Sequence, residues 1–522
     1  MASPLHTLFT MEAVGADAEV IVIGSGIGGL CCAGLLARGG RRVLVLEAHS
    51  QPGGAAHGFR RGGYHFESGP SLWSGLGRWP STNPLAQVLR ALEERVELMP
   101  YHNWEVRLPE GVFRIGVGQE PFAAVVRQLR GPAVEREWRA FLRVLAPIAA
   151  AADALPLLAL RPGGGLVDPL VRGPSLVPHL RALRHLGGSF GPLVEQHLSD
   201  PFLRHWVDLL SFLISGMATA DTNAAAMATL FGEWFREDSV LEMPRGGSPA
   251  VVAALVRGLE RHGGALRLGC RVERLVLDGD RVVGVRLANG ATLRAQHVVS
   301  NADAWGTAAL MPEGAKAAWC KRLRATPACA SFLHLHLGFR HHELADLPVH
   351  TVWVGDWQRG VMADRNLVVL SIPSVLDPGL APAGCHGLHG YTPASEPWSI
   401  WKEQQPDSDA YHALKHERCA VFHQVLEQQI PKLPERLDLM LEGSPLSHRR
   451  FLHVHQGSYG PALSAAHGLF PDGRTPVAGL WRCGASTFPG IGIPAVAASG
   501  ALAAHAILGA RAQSQLLGTL GL

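Results

Sequence analysis

The sequence predicts an α/β protein on three observations. A β-branched run, Glu19-Val-Ile-Val-Ile23, passes straight into a glycine-rich turn and a helix. Alternating helix and strand patterning resumes at Met243. The chain closes on a strand, a second glycine turn and an alanine-rich helix between Val477 and Leu508.

The first unit is a βαβ. A short, continuous β-branched run suits a strand buried on both faces of a parallel sheet. Gly24-Ser-Gly-Ile-Gly-Gly29 follows, Leu30–Arg38 carries good helix formers, and Arg41–Glu47 reads as a second strand ending in an acid. A Leu-, Ala- and Pro-rich region runs from Val106 to Asp238, with helical patches at Pro121–Leu129 and Glu135–Leu145. Beyond Met243 the pattern predicts a helix at Pro249–His262 and strands at Ala265–Leu268 and Arg271–Leu277. Asp278-Gly-Asp marks a tight turn, and Arg281–Leu287 with Thr292–Ser300 is expected to complete a small meander. Ser331–Phe339 and Leu367–Ile372 read as strands and Asp409–Ile430 as a helix.

With 522 residues, two to four units are expected at ~150 residues each. Lys plus Arg is 47 against 44 for Asp plus Glu, a formal charge of +3, a balance too small to imply nucleic acid or an anionic membrane face. Hydrophobic residues at 47 % rule out a disordered chain. Eight cysteines without a CxxC pair or regular spacing give neither a disulfide framework nor a zinc ribbon, which fits a reducing compartment. The longest apolar stretch, Val144–Leu160, contains Pro147, Asp153 and Pro156 and falls short of a membrane span, so no transmembrane helix is expected. The first residues lack a charged stretch followed by an apolar core, so they do not read as a secretory signal, and they are short for a plastid transit peptide.

Gly24, Gly26 and Gly29 complete a G-x-G-x-x-G, with Gly28 inside it. In a dinucleotide fold the first glycine allows the tight turn, the second lets backbone approach pyrophosphate, and the third allows close helix–strand packing. The helix start points free N–H groups at phosphate. Glu47, 23 positions beyond Gly24 at the end of the second strand, is placed to accept ribose hydroxyls. That assembly defines a Rossmann-type unit. Nicotinamide and flavin dinucleotides share it.

The following residues separate the two. Gly53-Gly54 stands six and seven positions after the acid, and Phe66-Glu-Ser-Gly-Pro70 follows. This stretch resembles the flavoprotein superfamily of amine oxidases, phytoene desaturases and carotenoid isomerases. There the second glycine pair wraps FAD and the run matching Phe66–Pro70 lies beside the flavin. Pro244-Arg-Gly-Gly-Ser248 and Arg271-Val-Glu-Arg-Leu275 look like the second FAD-contacting region, with the backbone of Val272 at the adenine, and Val299–Asp303 closes it. Ser371–Pro378, His453–Pro461 and Leu480–Pro494 are similar to carotenoid isomerase-like proteins in particular. Gly484, Gly490 and Gly492 fall in the last of these. Independently of the resemblance, Phe488–Gly492 is a rigid turn opening a helix near Pro494, whose positive end suits negative charge on reduced flavin. One departure stands out. The family places an acid after Cys-Gly in this turn, where it bonds the ribityl chain; here the residue is Ala485, with Ser486 as a neighbour able to compensate.

The resemblance implies an FAD-binding Rossmann-type domain of residues 18–105, 240–305 and 475–512, interleaved with a mixed α+β substrate domain of residues 106–239 and 306–474. It implies FAD-dependent cis–trans isomerisation of a prolycopene-like carotenoid by reduced flavin, without net redox change, with NAD(P)H as a possible reductant. The alternatives are a flavin oxidoreductase that desaturates or saturates a polyene, and a flavin-free binding or scaffold protein. It also implies a lipophilic polyene substrate, peripheral membrane contact, and a plastid or photosynthetic-membrane setting; otherwise the chain is cytoplasmic. Such a reaction leaves the chemistry to the cofactor and marks no compulsory acid or base.

Other constellations carry less. His334 and His336 alternate along one strand and so share a face, a possible ligand pair; no third ligand is identifiable, and no metal site is expected. His453 and His455 are read as proton carriers lining a substrate pocket or, more simply, as surface or core residues. Glu67 is an acid beside the expected flavin or, more simply, a partner in a salt bridge or a loop hydrogen bond. Cys31 and Cys32 are expected to pack against the sheet, and His341-His342-Glu343 is not an HExxH motif. Ile148–Leu160, Phe202–Met217 and Ala224–Phe235, with Trp206, Phe212, Phe231, Trp234 and Phe235, suit either an apolar tunnel or an ordinary helical core.

Overall fold

The computed structural model describes residues 18–163, 165–236, 239–340 and 347–522; His341-His342-Glu343 lies outside them. Val20–Ile23 and Val43–Leu46 are strands with every residue buried. They pair in parallel at the centre of a five-stranded sheet ordered Ala265–Arg267, Val43–Leu46, Val20–Ile23, His297–Ser300, Leu480–Arg482. Side chains alternate between its faces. Val20, Val22 and Val45 pack toward the helices, and Ile21, Ile23, Leu44 and Leu46 toward an antiparallel meander of Val272–Asp278, Arg281–Leu287 and Thr292–Arg294. The sheet thus draws its strands from all three segments expected of the nucleotide domain.

Thr292–Ser300 does not act as one meander strand. It splits at Ala295-Gln296: Thr292–Arg294 closes the meander, and His297–Ser300 enters the parallel sheet beside Val20–Ile23. The fingerprint helix, Ile27–Arg38, lies against the C-terminal helix, Ile493–Leu508. The two backbones touch, for a Cβ on Gly500 would sit 2.1 Å from the Gly28 carbonyl oxygen. Cys31 and Cys32 are fully buried on the fingerprint helix, and all eight cysteines are free thiols.

A second, seven-stranded sheet runs Leu437–Gly443, His334–Arg340, Cys385–Tyr391, Leu367–Ser371, His350–Val354, Asn103–Leu108, Gly111–Gly116. The domain boundary expected after residue 105 therefore falls inside a strand. Leu335, Leu337, Phe339, Leu370 and Leu388 form a core with Phe422, Val425 and Leu426 of the helix Asp409–Gln429. The alternate residues His334, His336 and His389 face away from that helix, toward the hairpin strand Tyr64–Glu67.

The region between is helical: Gln119–Arg130, Pro132–Asp153, Pro201–Ser215 and Ala224–Trp234. Its aromatic residues fill a core. Phe122 stacks on Trp206 at 4.4 Å, Phe231 on Phe235 at 5.3 Å, and Trp138 bridges them; Phe212 is fully buried. Of the two readings of these apolar stretches, the structure places Trp206, Phe212, Phe231 and Phe235 in a packed core. The membrane expectation also changes. Pro147 sits inside one continuous helix rather than ending it. With the turn that follows, Pro132–Ala159 is long and apolar enough to cross a membrane by length and composition. Its Trp138, Phe141, Leu145 and Ile148 face is nevertheless spent on the aromatic core.

Candidate functional site

The glycine turn after Val20–Ile23 and the tip of Val43–Leu46 meet at the same edge of the parallel sheet. Ser25 donates its amide and its hydroxyl to one oxygen of Glu47, Oε2, at 2.8 and 2.7 Å. The amide of His49 donates to Oε1 at 2.8 Å. The acid is buried and oriented by three donors, and its carboxylate keeps lone pairs for ribose hydroxyls.

Around this acid the predicted residues converge. Gly24 takes φ +92°, and a Cβ on Gly29 would lie 2.2 Å from the Gly24 carbonyl oxygen, which only glycine permits. Gly53 bridges to Gly26, its amide donating to the Ser25 carbonyl at 3.1 Å, and Gly54 lies over Gly26. Val272 opens its strand two residues beyond Cys270, whose amide donates to the Glu47 carbonyl at 2.7 Å. Gly484 belongs to the same cradle, while Gly490 and Gly492 lie farther along the C-terminal turn, Gly490 against Phe470 and Gly492 in open space. Asn301 organises the cradle, a role the sequence reading missed. A Cβ at Gly26, Gly28 or Gly484 would each stand 2.9 Å from its side-chain amide. Its position between Val299 and Asp303 was visible, but its neighbours lie hundreds of residues away.

The cradle fits a dinucleotide. The fingerprint helix starts at Gly26 without a side-chain cap or an acid in its first turn, and Ile27, Gly28 and Gly29 are buried. Orphan N–H groups at a buried helix start need an anionic partner, and pyrophosphate supplies it. Gly24, Gly26, Gly28, Gly29, Gly53 and Gly54 could hold the phosphates, Glu47 the ribose, and the Val272 backbone the adenine.

At the far end, Ala485 is half-buried where the resemblance expects an acid. Ser486 is not idle: its hydroxyl oxygen accepts the Ala304 amide at 3.1 Å, which leaves its proton and one lone pair to offer. Arg482 is buried beside it with Nε unpartnered; burial pulls its guanidinium down to about 10, against the pull of Asp303.

Two distant motifs are joined through Glu67. Its Oε1 accepts the amide and hydroxyl of Ser248 at 2.6 and 2.7 Å, and burial pushes its carboxyl up against those bonds. Oε2 is buried with no partner among the described residues. The hydrogen bonds of Glu67 thus link the end of the strand Tyr64–Glu67 to the first residue of the helix Ser248–Arg261. His453 is exposed in the electrostatic range of Arg271 and Glu47, and His455 stacks on Trp305 at 4.4 Å while its amide donates to Asp303 at 2.8 Å. Both sit on the nucleotide side of the molecule.

His334 and His336 do share a face, and the missing partner exists. His389 stands opposite His336 in register, its Nε2 2.8 Å from His334 Nδ1, and His448 Nε2 touches His334 Nε2. His336 Nε2 donates to the Glu67 carbonyl at 2.9 Å. Burial holds all four imidazoles neutral, His336 down at about 4 and His448 at about 3.

A dinucleotide fold with a second glycine pair on its phosphate loop, interleaved with a mixed-sheet domain, defines an FAD-dependent enzyme of the amine oxidase type. The chain belongs to the flavin-containing amine oxidoreductase family, whose model matches residues 27–508. It is 31 % identical to the chloroplastic prolycopene isomerase of Arabidopsis thaliana, over 97 % of this chain and 86 % of that one. A lycopene-forming phytoene desaturase of Pseudescherichia vulneris is 28 % identical over 92 % of this chain and 97 % of its own. Cyclohexylamine oxidase from Brevibacterium oxydans shares the fold, with a TM-score of 0.58 at 16 % identity, over 97 % of this chain and 100 % of that one. Family and site make the chain a flavoenzyme, which removes the scaffold alternative.

Proposed function

We propose that this flavoenzyme isomerises cis double bonds of a poly-cis, prolycopene-like carotenoid, using reduced FAD without net redox change. The observation that carries the reading is the full-length similarity to prolycopene isomerases. Bound flavin would supply electron density to the polyene without net transfer. The chain's own residues would bind and orient it: the uncapped helix start would hold the phosphates, Glu47, aimed by Ser25 and His49, the ribose, and the Val272 backbone the adenine. Reduced flavin has to be generated, and NAD(P)H is the candidate donor.

A lipophilic substrate reaches a protein most directly from a membrane. Leu170 is 92 % exposed, Val177 60 % and Leu180 63 %, on consecutive helical turns that also carry Arg181 and Arg184. Apolar side chains flanked by cations suit an anionic lipid surface, so this segment is the proposed peripheral contact. The chloroplastic relatives favour a plastid or photosynthetic-membrane setting.

The second reading, desaturation or saturation of a polyene, is favoured by the phytoene desaturases at 28 % identity. Anaerobic incubation with reduced FAD and poly-cis lycopene, followed by chromatography with mass detection, separates the two. A new retention time at unchanged mass is expected. A gain of two hydrogens selects saturation, a loss of two hydrogens in a parallel incubation with oxidised FAD selects desaturation, and poly-cis lycopene recovered unchanged from flavin-loaded protein overturns the isomerase reading.

A further inference from the structure

His334, His336 and His389 cluster on one face of the seven-stranded sheet, with His448 of the helix Pro445–Leu452 against them. We propose that His334, His336 and His389 form a three-histidine site for a first-row divalent cation of the zinc type, with His448 as the outer partner of His334. The proposal goes beyond the flavin reading and stands without it.

The geometry is that of a sheet-built metal site. His334 and His336 are two apart on one strand, and His389 is the cross-strand neighbour of His336 on the next, so three side chains leave one face together. One ligand nitrogen from each lies within 4.8 Å of the other two. A tetrahedral ion with nitrogens at ~2.0–2.1 Å sets them about 3.3 Å apart. The closest pair here, His334 Nδ1 and His389 Nε2 at 2.8 Å, is slightly inside that spacing. The three rings lie nearly parallel, 1–6° between planes, and metal binding requires them to turn out of that arrangement so that their lone pairs converge.

Ring nitrogens that face outward are held as a metal site needs. His336 donates Nε2–H to the Glu67 carbonyl, which leaves Nδ1 with its lone pair. If Nδ1 of His334 binds the ion, its Nε2 carries the proton and donates to His448 Nε2. Such outer hydrogen bonds fix tautomer and ring orientation in metal-ligating histidines. All three rings are buried on one face of the sheet. The donor set has neither thiolate nor carboxylate. All-imidazole sets suit borderline ions such as zinc, iron(II) or copper(II) and discriminate against calcium and magnesium.

The test uses flavin-loaded protein treated with chelator and then titrated with Zn2+ by calorimetry and with Co2+ by visible absorption. One tight equivalent and the intense bands of tetrahedral cobalt are expected. The double variant His334→Gln/His389→Gln loses that equivalent, and His448→Gln weakens it by about 10–100-fold. His412→Gln, an exposed control, keeps it. Unfolding curves of each variant without metal show that it is folded. Absence of a tight equivalent in the parent protein overturns the site, leaving a hydrogen-bonded histidine cluster. So does an equivalent that survives in the folded double variant.

Discussion

Ser25 commits both its amide and its hydroxyl to a single oxygen of Glu47, at 2.8 and 2.7 Å, tying the fingerprint turn to the tip of the neighbouring strand. Bonds to an ionised acceptor are the strong kind, and here two of them arrive from one residue. The acid is thus fixed before any nucleotide arrives, with little orientation left to lose on binding.

Glu47→Ala should therefore weaken FAD. Losing the ribose bonds and the aim given by Ser25 and His49 costs about 1–3 kcal/mol, or roughly one to two decades in Kd. Quenching of flavin fluorescence on titration reads this directly. An unchanged Kd removes Glu47 from the ribose.

Ala485→Asp should act in the opposite direction. The half-buried methyl of Ala485 offers no acceptor of its own, and the neighbouring Ser486 hydroxyl already accepts the Ala304 amide. A carboxylate restores one buried hydrogen bond, worth about 1–3 kcal/mol. More flavin should survive gel filtration than in the parent; equal retention counts against a ribityl role for this position.

The nucleotide cradle was legible because it is local. Gly24 to Gly54 lie within one βαβ unit, so strand, turn, helix and acid stand in reading order. Asn301 was not, since it meets five glycines through a strand that joins the sheet from a distant segment. The histidine cluster was half legible. His334 and His336 show their shared face by alternation, whereas His389 arrives through a register set across 55 residues and His448 from a helix 114 away. Pro147 misled for a physical reason: a proline removes one hydrogen bond, and packing of Trp138, Phe141 and Ile148 keeps the helix continuous around it.

His350 should make the fold acid-sensitive. It is fully buried between the Tyr101 hydroxyl at 2.8 Å and the Ser371 hydroxyl at 3.1 Å, and burial pulls it from 6.5 down to about 4. Below pH 6.5 the unfolded chain takes up a proton that the folded chain refuses until about pH 4. Its contribution is intact above pH 6.5 and is lost as pH falls, by up to about 1.4 kcal/mol per unit. Gln keeps a donor and an acceptor without titrating. Urea midpoints of His350→Gln should fall less steeply between pH 6.5 and 4 than those of the parent, and parallel curves would refute the assignment.

The helix Asp409–Gln429 is pinned to its surroundings by a buried charge cluster. Arg418 grips Glu396 with Nε at 3.0 Å and Nη2 at 2.8 Å, and reaches Asp364 at 2.7 Å. Trp401 Nε1 adds a bond to Glu396 at 2.7 Å, and the Glu396 side chain is fully buried. Two opposing terms decide what the pair is worth. Desolvating both ions is expensive, so the intact pair adds little net stability; stripping one partner leaves a buried charge alone. Arg418→Ala should then cost about 3–5 kcal/mol, while Arg418→Met/Glu396→Leu, which removes both charges and keeps bulk, should recover most of it. Chemical denaturation of the three proteins checks this. If the double variant is as unstable as Arg418→Ala, then the packing around Trp401, rather than the stranded carboxylate, is what the arginine protects.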